Sequence, residues 1–420
     1  MKKRIALIMA LILLLPVMSA CEDAREINDW VYTYVIGVDK GVTDKLRFTI
    51  LIPTLGGGQQ GSGQDSSGSG AEKKSGDISV VSIDCPTIYS GLNLVNSFLA
   101  KRINYSHAKF FIIGEELAKE GIEPFMQGMR MTHQIRLNMH VMVVKGEALQ
   151  FIEAFTPVVG VSIPRTMEGL LDAVGDTGLI DDKTYMEMLM DLKSAKGQAS
   201  CILAALNKFD TFLPEGSEAE KVSVAELEPG RLARKGGNPA ELIGAAVFRG
   251  DKLVGELNLG EARSLLMTEG RYLHGAFTIP DPLDDGTFVT IEAYKQKDPQ
   301  IKVTVTGDRP VIGVKVFYEG VTQNQQNDID YQAEAFKPVL EKSYEDFMVK
   351  CISETIQKCQ ELGSDIFGFG EIASMQFWTI QEWVQYGWPE KFKNAQVNVE
   401  ASMIIRRTGV IVENNPIKGE

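Results

Sequence analysis

The residue with the most legible chemistry is Cys21. It closes the run 1–21, MKKRIALIMALILLLPVMSAC. Lys2, Lys3 and Arg4 give a positive start, residues 5–15 an unbroken apolar core, and Pro16 a helix break. Met18, Ser19 and Ala20 then lead up to the cysteine. A charged start, a short apolar core and small residues before a cleavage point define a secretory signal. The core is too short for a membrane span, which needs about 20 residues. The ending matches a lipobox, with Met18 where leucine is usual. On that reading residues 1–20 are a signal peptide, and Cys21 is diacylated on sulfur and becomes the new N-terminus. Two acyl chains anchor a protein stably, whereas one holds it weakly. The plain alternative is a cleaved signal with a chance cysteine.

Other chemistry-bearing residues are sparse. The four histidines are His107, His133, His140 and His274, with no HxH or HxxxH spacing among them. A zinc site therefore lacks support. No GxSxG nucleophile elbow occurs, and no phosphate loop of the GxxxxGK[ST] kind. Asp281, Asp284, Asp285 and Gly286 faintly resemble a calcium loop but lack its acidic spacing and closing glutamate; a turn is expected there. Asp181 and Asp182 precede a helix, where acids complement the helix dipole. No cofactor, metal site or catalytic cluster is expected. Cys85, Cys201, Cys351 and Cys359 form no CxxC pair. Cys351 and Cys359 sit eight apart on one predicted helix, about 12 Å along its axis, beyond the roughly 7 Å a disulfide allows. Free, buried thiols are expected.

The elements that must position these residues fill 420 positions, enough for two or three domains. Hydrophobic content of 44% and charged content of 24% suit a globular body. Net charge is −13, and loss of Lys2, Lys3 and Arg4 makes the remainder more acidic still. Such a body is a poor binder of nucleic acid or of anionic lipid by charge.

Residues 30–39 (WVYTYVIGVD) read as a strand and 46–52 as its hairpin partner. Residues 56–76 are mostly Gly, Ser and Gln, too polar to offset their ordering entropy, and read as a flexible insertion. Strands at 78–83, 108–113 and 137–144 alternate with helices at 87–99, 115–130 and 147–155. This predicts a mixed sheet covered by helices. Thr87 is the expected cap of the first helix. Two helices at 163–174 and 183–194 and a strand at 198–206 follow. Residues 214–237 form a polar loop or junction. A hairpin spans 242–257, turning at Arg249-Gly250-Asp251-Lys252, with a short helix at 259–267. Strands at 288–293, 301–306 and 311–318 alternate as an antiparallel sheet with one wet face does. A long helix covers 331–362, with Leu340, Tyr344, Phe347, Cys351, Cys359 and Leu362 along one stripe and Gly363 as its stop. A last strand runs over 397–406. Trp378, Trp383 and Trp388 gather between them, as core, as a protein interface or as a ligand-stacking surface.

The expected fold class is α+β in several domains. Residues 21–200 form an N-terminal domain with a helix-covered mixed sheet. Residues 201–280 form a middle domain or junction. Residues 281–420 form a C-terminal domain with an antiparallel sheet and one long helix.

Four segments carry a family resemblance. The first is Cys21 with 25–29 (REIND) and 36–41 (IGVDKG). The second is 106–109 (SHAK) with 112–118 (IIGEELA) and Gly121-Ile122. The third is 244–248 (GAAVF) with 251–255 (DKLVG), and the fourth 364–370 (SDIFGFG) with Trp383 and 405–409 (IRRTG). In order and spacing the chain resembles the Ger(x)C lipoproteins, the C subunits of the nutrient germinant receptors of endospore-forming bacteria. It departs in the Gly/Ser insertion, in Met18, and in Glu22 where the family often has Trp. The resemblance implies a lipoprotein on the outer face of the spore inner membrane, with Cys21 as the lipid site. It implies two membrane-embedded partners, an A subunit and a transporter-like B subunit, which together sense nutrients and trigger release of ions and dipicolinate. It implies no catalytic residues; the acidic charge argues against a nucleic-acid partner, and direct nutrient binding is not expected. The competing reading is a lipid-anchored solute-binding protein, which needs a deep interdomain cleft.

Overall fold

The computed structural model describes residues 4–5, 29–53, 78–131, 135–155, 163–207, 224–305, 307 and 309–407. Cys21, the 56–76 insertion and residues 214–223 of the polar segment 214–237 lie outside these residues.

The largest element is an eight-stranded sheet of order β10-β9-β8-β7-β6-β2-β3-β4. Its middle is parallel: β2 (Val35–Lys40), β6 (Phe110–Gly114), β7 (His140–Val144) and β8 (Ser200–Leu206). Antiparallel strands flank them, β3 (Leu46–Pro53) and β4 (Ile78–Cys85) on one side, β9 (Ala240–Arg249) and β10 (Lys252–Leu257) on the other. The central strands are near-continuous apolar runs because both faces are covered. One face packs Phe48, Phe111, Val141 and Phe248; the other packs Val35, Phe110, Ile112 and Met142. The covering helices are α1 (Ile88–Leu94), α2 (Glu115–Glu120), α3 (Glu123–Arg130), α4 (Ala148–Ala154), α5 (Ile163–Asp176) and α6 (Tyr185–Lys193). Thr87 caps α1 as expected, accepting from Ser90 N.

The 30–39 run is not one strand. It splits into β1 (Trp30–Tyr32), which pairs with β5 (Arg102–Asn104), and β2. Buried Thr33 makes the break, its hydroxyl donating to Val35 O at 3.0 Å and Leu51 O at 2.8 Å.

The second layer is a four-stranded sheet of order β11-β12-β13-β14. The expected antiparallel pattern holds for β12 (Phe288–Thr304) and β13 (Val311–Gln325); β11 (His274–Pro280), not foreseen, adds antiparallel to β12, and β14 (Gln396–Arg407) joins parallel to β13. Residues 288–293 and 301–304 of the segments read as two strands belong to the single strand β12. Register shifts near Lys297 carry it through the polar stretch Lys297-Asp298-Pro299-Gln300. The long helix, α8 (Lys337–Leu362), starts later than 331 because Pro338 fits only its first turn. Its buried stripe is Leu340, Tyr344, Met348, Ile352, Ile356 and Cys359. Gly363 ends it in the left-handed region, φ 67°. Helix α7 (Leu259–Glu269) packs against α8, with Lys358 Nζ 2.7 Å from Glu261 Oε2. Three short helices close the layer: α9 (Phe369–Ser374), α10 (Ile380–Tyr386) and α11 (Trp388–Lys393).

Residues 201–280 divide between the layers. β8, β9 and β10 complete the large sheet, while α7 and β11 belong to the C-terminal layer. Strand β9 is shared: Ala246 and Phe248 pack into the N-terminal core, Ala245 and Val247 into the C-terminal one. Cys85, Cys201, Cys351 and Cys359 are all free thiols, and only Cys351 is not fully buried.

Candidate functional site

A set of buried polar and charged groups gathers at the junction between the two layers. Segment 364–370 forms a clasp there. Ser364 Oγ donates to Phe248 O at 2.5 Å, and Gln198 N donates to Asp365 O at 2.8 Å. The Asp365 carboxylate is buried and receives Trp388 Nε1 at 2.8 Å, Gly370 N at 2.7 Å and Phe369 N at 3.3 Å. Burial pushes its pKa up to about 6, against the pull of these donors. Trp383 Nε1 donates to Ala195 O at 3.0 Å, and Gly250 N to Gln198 Oε1 at 2.5 Å. Loop 195–198 is thus gripped from both the β9–β10 turn and the C-terminal helices.

Gly370 is required by close approach. A Cβ there would lie 1.9 Å from Lys196 O and 2.6 Å from Trp388 Nε1. Gly370→Ala is expected to force the clasp open and cost about 3 kcal/mol, the upper end for overpacking. Denaturant midpoints and faster proteolysis near 195–198 check this.

Beside the clasp lies an ion network built around the fully buried Asp181. Arg271 Nη1 is 2.5 Å from Asp181 Oδ1 and 3.0 Å from Glu269 Oε2; its Nη2 is 2.5 Å from Asp182 Oδ1. Ser200 Oγ donates to Asp181 Oδ2 at 2.6 Å, and Lys183 Nζ reaches Asp191 at 2.9 Å and Glu269 at 3.7 Å. Burial pushes Asp181 up, but Arg271, Lys183 and the Ser200 hydroxyl outweigh it and hold the carboxyl below its usual range. Burial dominates at Glu269 and Asp191, which are both raised. The network ties N-terminal residues 181–200 to C-terminal residues 269–271. A groove of about 500 Å³, lined by Lys183, Gln198, Glu269 and Asp365 among others, opens along it.

The N-terminal segments that carry the resemblance do equally structural work. Asp39 is buried and accepts from Ala148 N at 2.7 Å and Leu149 N at 3.0 Å, the free donors at the start of α4. Burial raises its pKa in spite of those bonds. Lys40 pairs with Glu116 and Glu120 on α2. Ile122 N donates to Asp251 O at 2.9 Å, linking α2 and α3 to the β9–β10 turn.

The sequence-selected residues are distributed as follows. Cys21 and His133 lie outside the described residues. Trp383 and Trp388 are buried, at 4% and 2% exposure, whereas Trp378 is 95% exposed. His107 stacks on Tyr32, His140 Nδ1 lies 3.2 Å from Asp182 O, and His274 Nδ1 3.2 Å from Glu292 Oε1. Asp281 sits in the expected turn and ties it down, receiving Leu283 N at 2.8 Å, Asn327 Nδ2 at 2.8 Å and Tyr331 Oη at 2.5 Å. Asp181 and Asp182 are partners of Arg271, a role the cap reading misses. No sequence signal singles out Arg271, Lys183, Glu269 or Asp365 as one group. Among the described residues, no cluster of three His, Cys, Asp or Glu side chains is arranged to hold a metal, and no helix is long and apolar enough to cross a membrane.

Comparison with known proteins places this architecture. A family model described as Spore germination protein N-terminal domain matches residues 23–208, and one described as Spore germination B3/GerAC like, C-terminal, matches residues 243–409. Putative spore germination protein YfkR of Bacillus subtilis (strain 168) is 24% identical over 419 residues, 98% of each chain. Spore germination protein KC of the same organism is 22% identical over 425 residues, covering 100% of this chain and 98% of that protein. The crystal structure of the GerBC protein aligns with a TM-score of 0.47 and 17% identity, over 88% of this chain and 96% of that one. The two family matches together take in both layers and the clasp between them, and the chain belongs to the GerAC-like family of spore germination proteins.

Proposed function

We propose that this chain is the lipid-anchored C-type subunit of a spore nutrient germinant receptor, acting in assembly or signalling rather than in chemistry. The observation that supports it best is the end-to-end match to Spore germination protein KC. A second support is the use made of the shared segments. Asp39 and Ile122 serve backbone-level joints within the N-terminal layer, and Ser364, Asp365 and Gly370 serve them between the two layers. On this reading Cys21 carries the lipid and holds the body at the outer face of the spore inner membrane, beside an A subunit and a transporter-like B subunit. The body binds neither nucleic acid nor, directly, the nutrient.

The docking surface proposed for those partners is the apolar patch around Trp378. Met375, Ile380 and Val384 flank it at 81%, 75% and 61% exposure. The patch is rigidly held. Glu382 Oε2 accepts from Trp378 N at 3.0 Å and Thr379 N at 3.3 Å, and Gln376 is bonded to Val303 O and Val305 N. Trp383 packs behind it against Phe377. A fixed, exposed tryptophan in an apolar setting suits an interface anchor. Residues 371–387 hold Glu371 and Glu382 and no Lys or Arg, which fits an apolar, basic-rimmed protein surface.

Cys21→Ala is expected to move the protein from the membrane to the soluble fraction of disrupted spores and to depress nutrient-triggered germination. Retention in the membrane with a full germination response would refute the anchoring role. Trp378→Glu, exposed in the folded body, is expected to leave the fold intact and weaken recovery of partners.

A further inference from the structure

Strand β14 is an edge, and its outer side is only half closed. Strand geometry turns alternate backbone groups to opposite sides. Gln396 N donates inward to Pro310 O, on the β13 side, so the odd-numbered residues 397–405 turn their N–H and C=O outward. Two of those outward donors are closed by helix α8: Met403 N donates to Glu345 Oε1 at 3.1 Å, and Ile405 N to Glu341 Oε1 at 2.8 Å. Inward-reaching acids of this kind blunt an edge against pairing. Val397, Val399 and Ala401 have no such cover: their outward groups meet no strand or side chain among the described residues. All three are partly exposed, with side chains against the C-terminal core. The open window is therefore 397–401, centred on Val399.

We infer that this window pairs with the same window of a second copy, strand against antiparallel strand, about a two-fold axis through Val399. The register follows from the geometry. Only centring on Val399 sets the open window opposite itself and keeps both copies clear of Glu341 and Glu345. In that register Val399 faces Val399 of the copy, and Val397 faces Ala401, each facing pair exchanging two backbone bonds. These are apolar cross-strand neighbours, favourable ones. On the wet face Asn398 meets Glu400 of the copy, an amide against a carboxylate, so no like charges oppose. Glu400 keeps Lys315 beside it at 2.7 Å. An isologous contact of this form is the commonest way two identical chains associate. It joins two four-stranded sheets into one continuous sheet. The buried area is small against the roughly 1,200–2,000 Å² of a stable free complex, so the contact is weak and suits copies held on one surface.

The test traps the pair covalently in the full-length, membrane-bound chain. Asn398→Cys and Glu400→Cys are made separately on this exposed face. In the proposed register position 398 lies about 4.5 Å, Cα to Cα, from position 400 of the copy, within disulfide range. Mild oxidation of the two variants mixed on one membrane is expected to give a disulfide dimer several-fold above either variant alone. Adding Val399→Pro removes a central outward donor, a change tolerated on an edge strand, and is expected to abolish the dimer while leaving thermal unfolding near that of the parent. Three results overturn the inference: a mixture no richer in dimer than its components, equal cross-linking by Asn398→Cys alone, or an adduct of other mass, which assigns the edge to a different protein's strand. Cross-linking that survives Val399→Pro also contradicts it.

Discussion

Replacing Arg271 with alanine is expected to destabilise the protein by about 3–5 kcal/mol, the range for removing one partner of a buried ion pair. The substitution leaves Asp181, fully buried, without the guanidinium that holds it ionised. Ser200 and Lys183 remain, and neither replaces the bond from Arg271 Nη1 to Asp181 Oδ1. Asp181 has a lowered pKa in the folded protein, so its contribution is present above the unfolded carboxylate value and is lost as pH falls. In Arg271→Ala that contribution inverts: the orphaned acid takes up a proton readily. The gap between variant and parent should therefore narrow as pH is lowered towards 4. Urea unfolding at several pH values checks both the size and the slope. A uniform loss at all pH values would assign Arg271 a packing role only.

Asp365→Ala is expected to cost a similar amount, about 3–5 kcal/mol. It strands Trp388 Nε1, Gly370 N and Phe369 N in the core, at about 1–3 kcal/mol per buried donor left unpaired, partly relieved by local collapse. Asp365→Asn keeps an acceptor for the two stronger donors and should cost much less. The pair of variants also separates hydrogen bonding from charge. The folded pKa of about 6 lies above the ordinary value of 3.8. A raised carboxyl stabilises the fold fully below the unfolded pKa, and that stabilisation is lost as pH rises through about 6. The loss amounts to about 3 kcal/mol at 1.36 kcal/mol per pKa unit. Wild type should lose this increment between pH 4 and 7, and Asp365→Asn should not. Identical pH slopes in the two proteins would contradict the buried, ionisable clasp.

Local signals were legible and distant ones were not. The hairpin at 242–257 follows from its tight turn, and α1 from Thr87 and its apolar spacing. Strand β11 escaped the sequence reading although its burial alternates cleanly, because a glycine and a terminal proline break its β signature. β12 looked like two strands because its register shifts fall in a charged stretch. The parallel entry of β14 depends on the whole path through α8 to α11, which periodicity does not encode. The junction was the least legible part. Arg271 and Asp181 are 90 residues apart, and Ser364 and Phe248 are 116 apart. Each looks locally like a helix cap or a turn residue. The tryptophans show the same limit: three similar neighbours in sequence divide into two that pack inward and one that faces out, and only the helix orientations decide which.

The receptor-subunit reading is tested most directly by recovering the tagged, full-length protein from gently solubilised spore inner membranes and identifying what accompanies it by mass spectrometry. A transporter-like membrane protein and a second membrane subunit are expected in fixed ratio, both depleted by Trp378→Glu. Recovery of this protein alone, under conditions that keep other membrane complexes intact, would contradict that reading and favour a free-standing solute-binding protein.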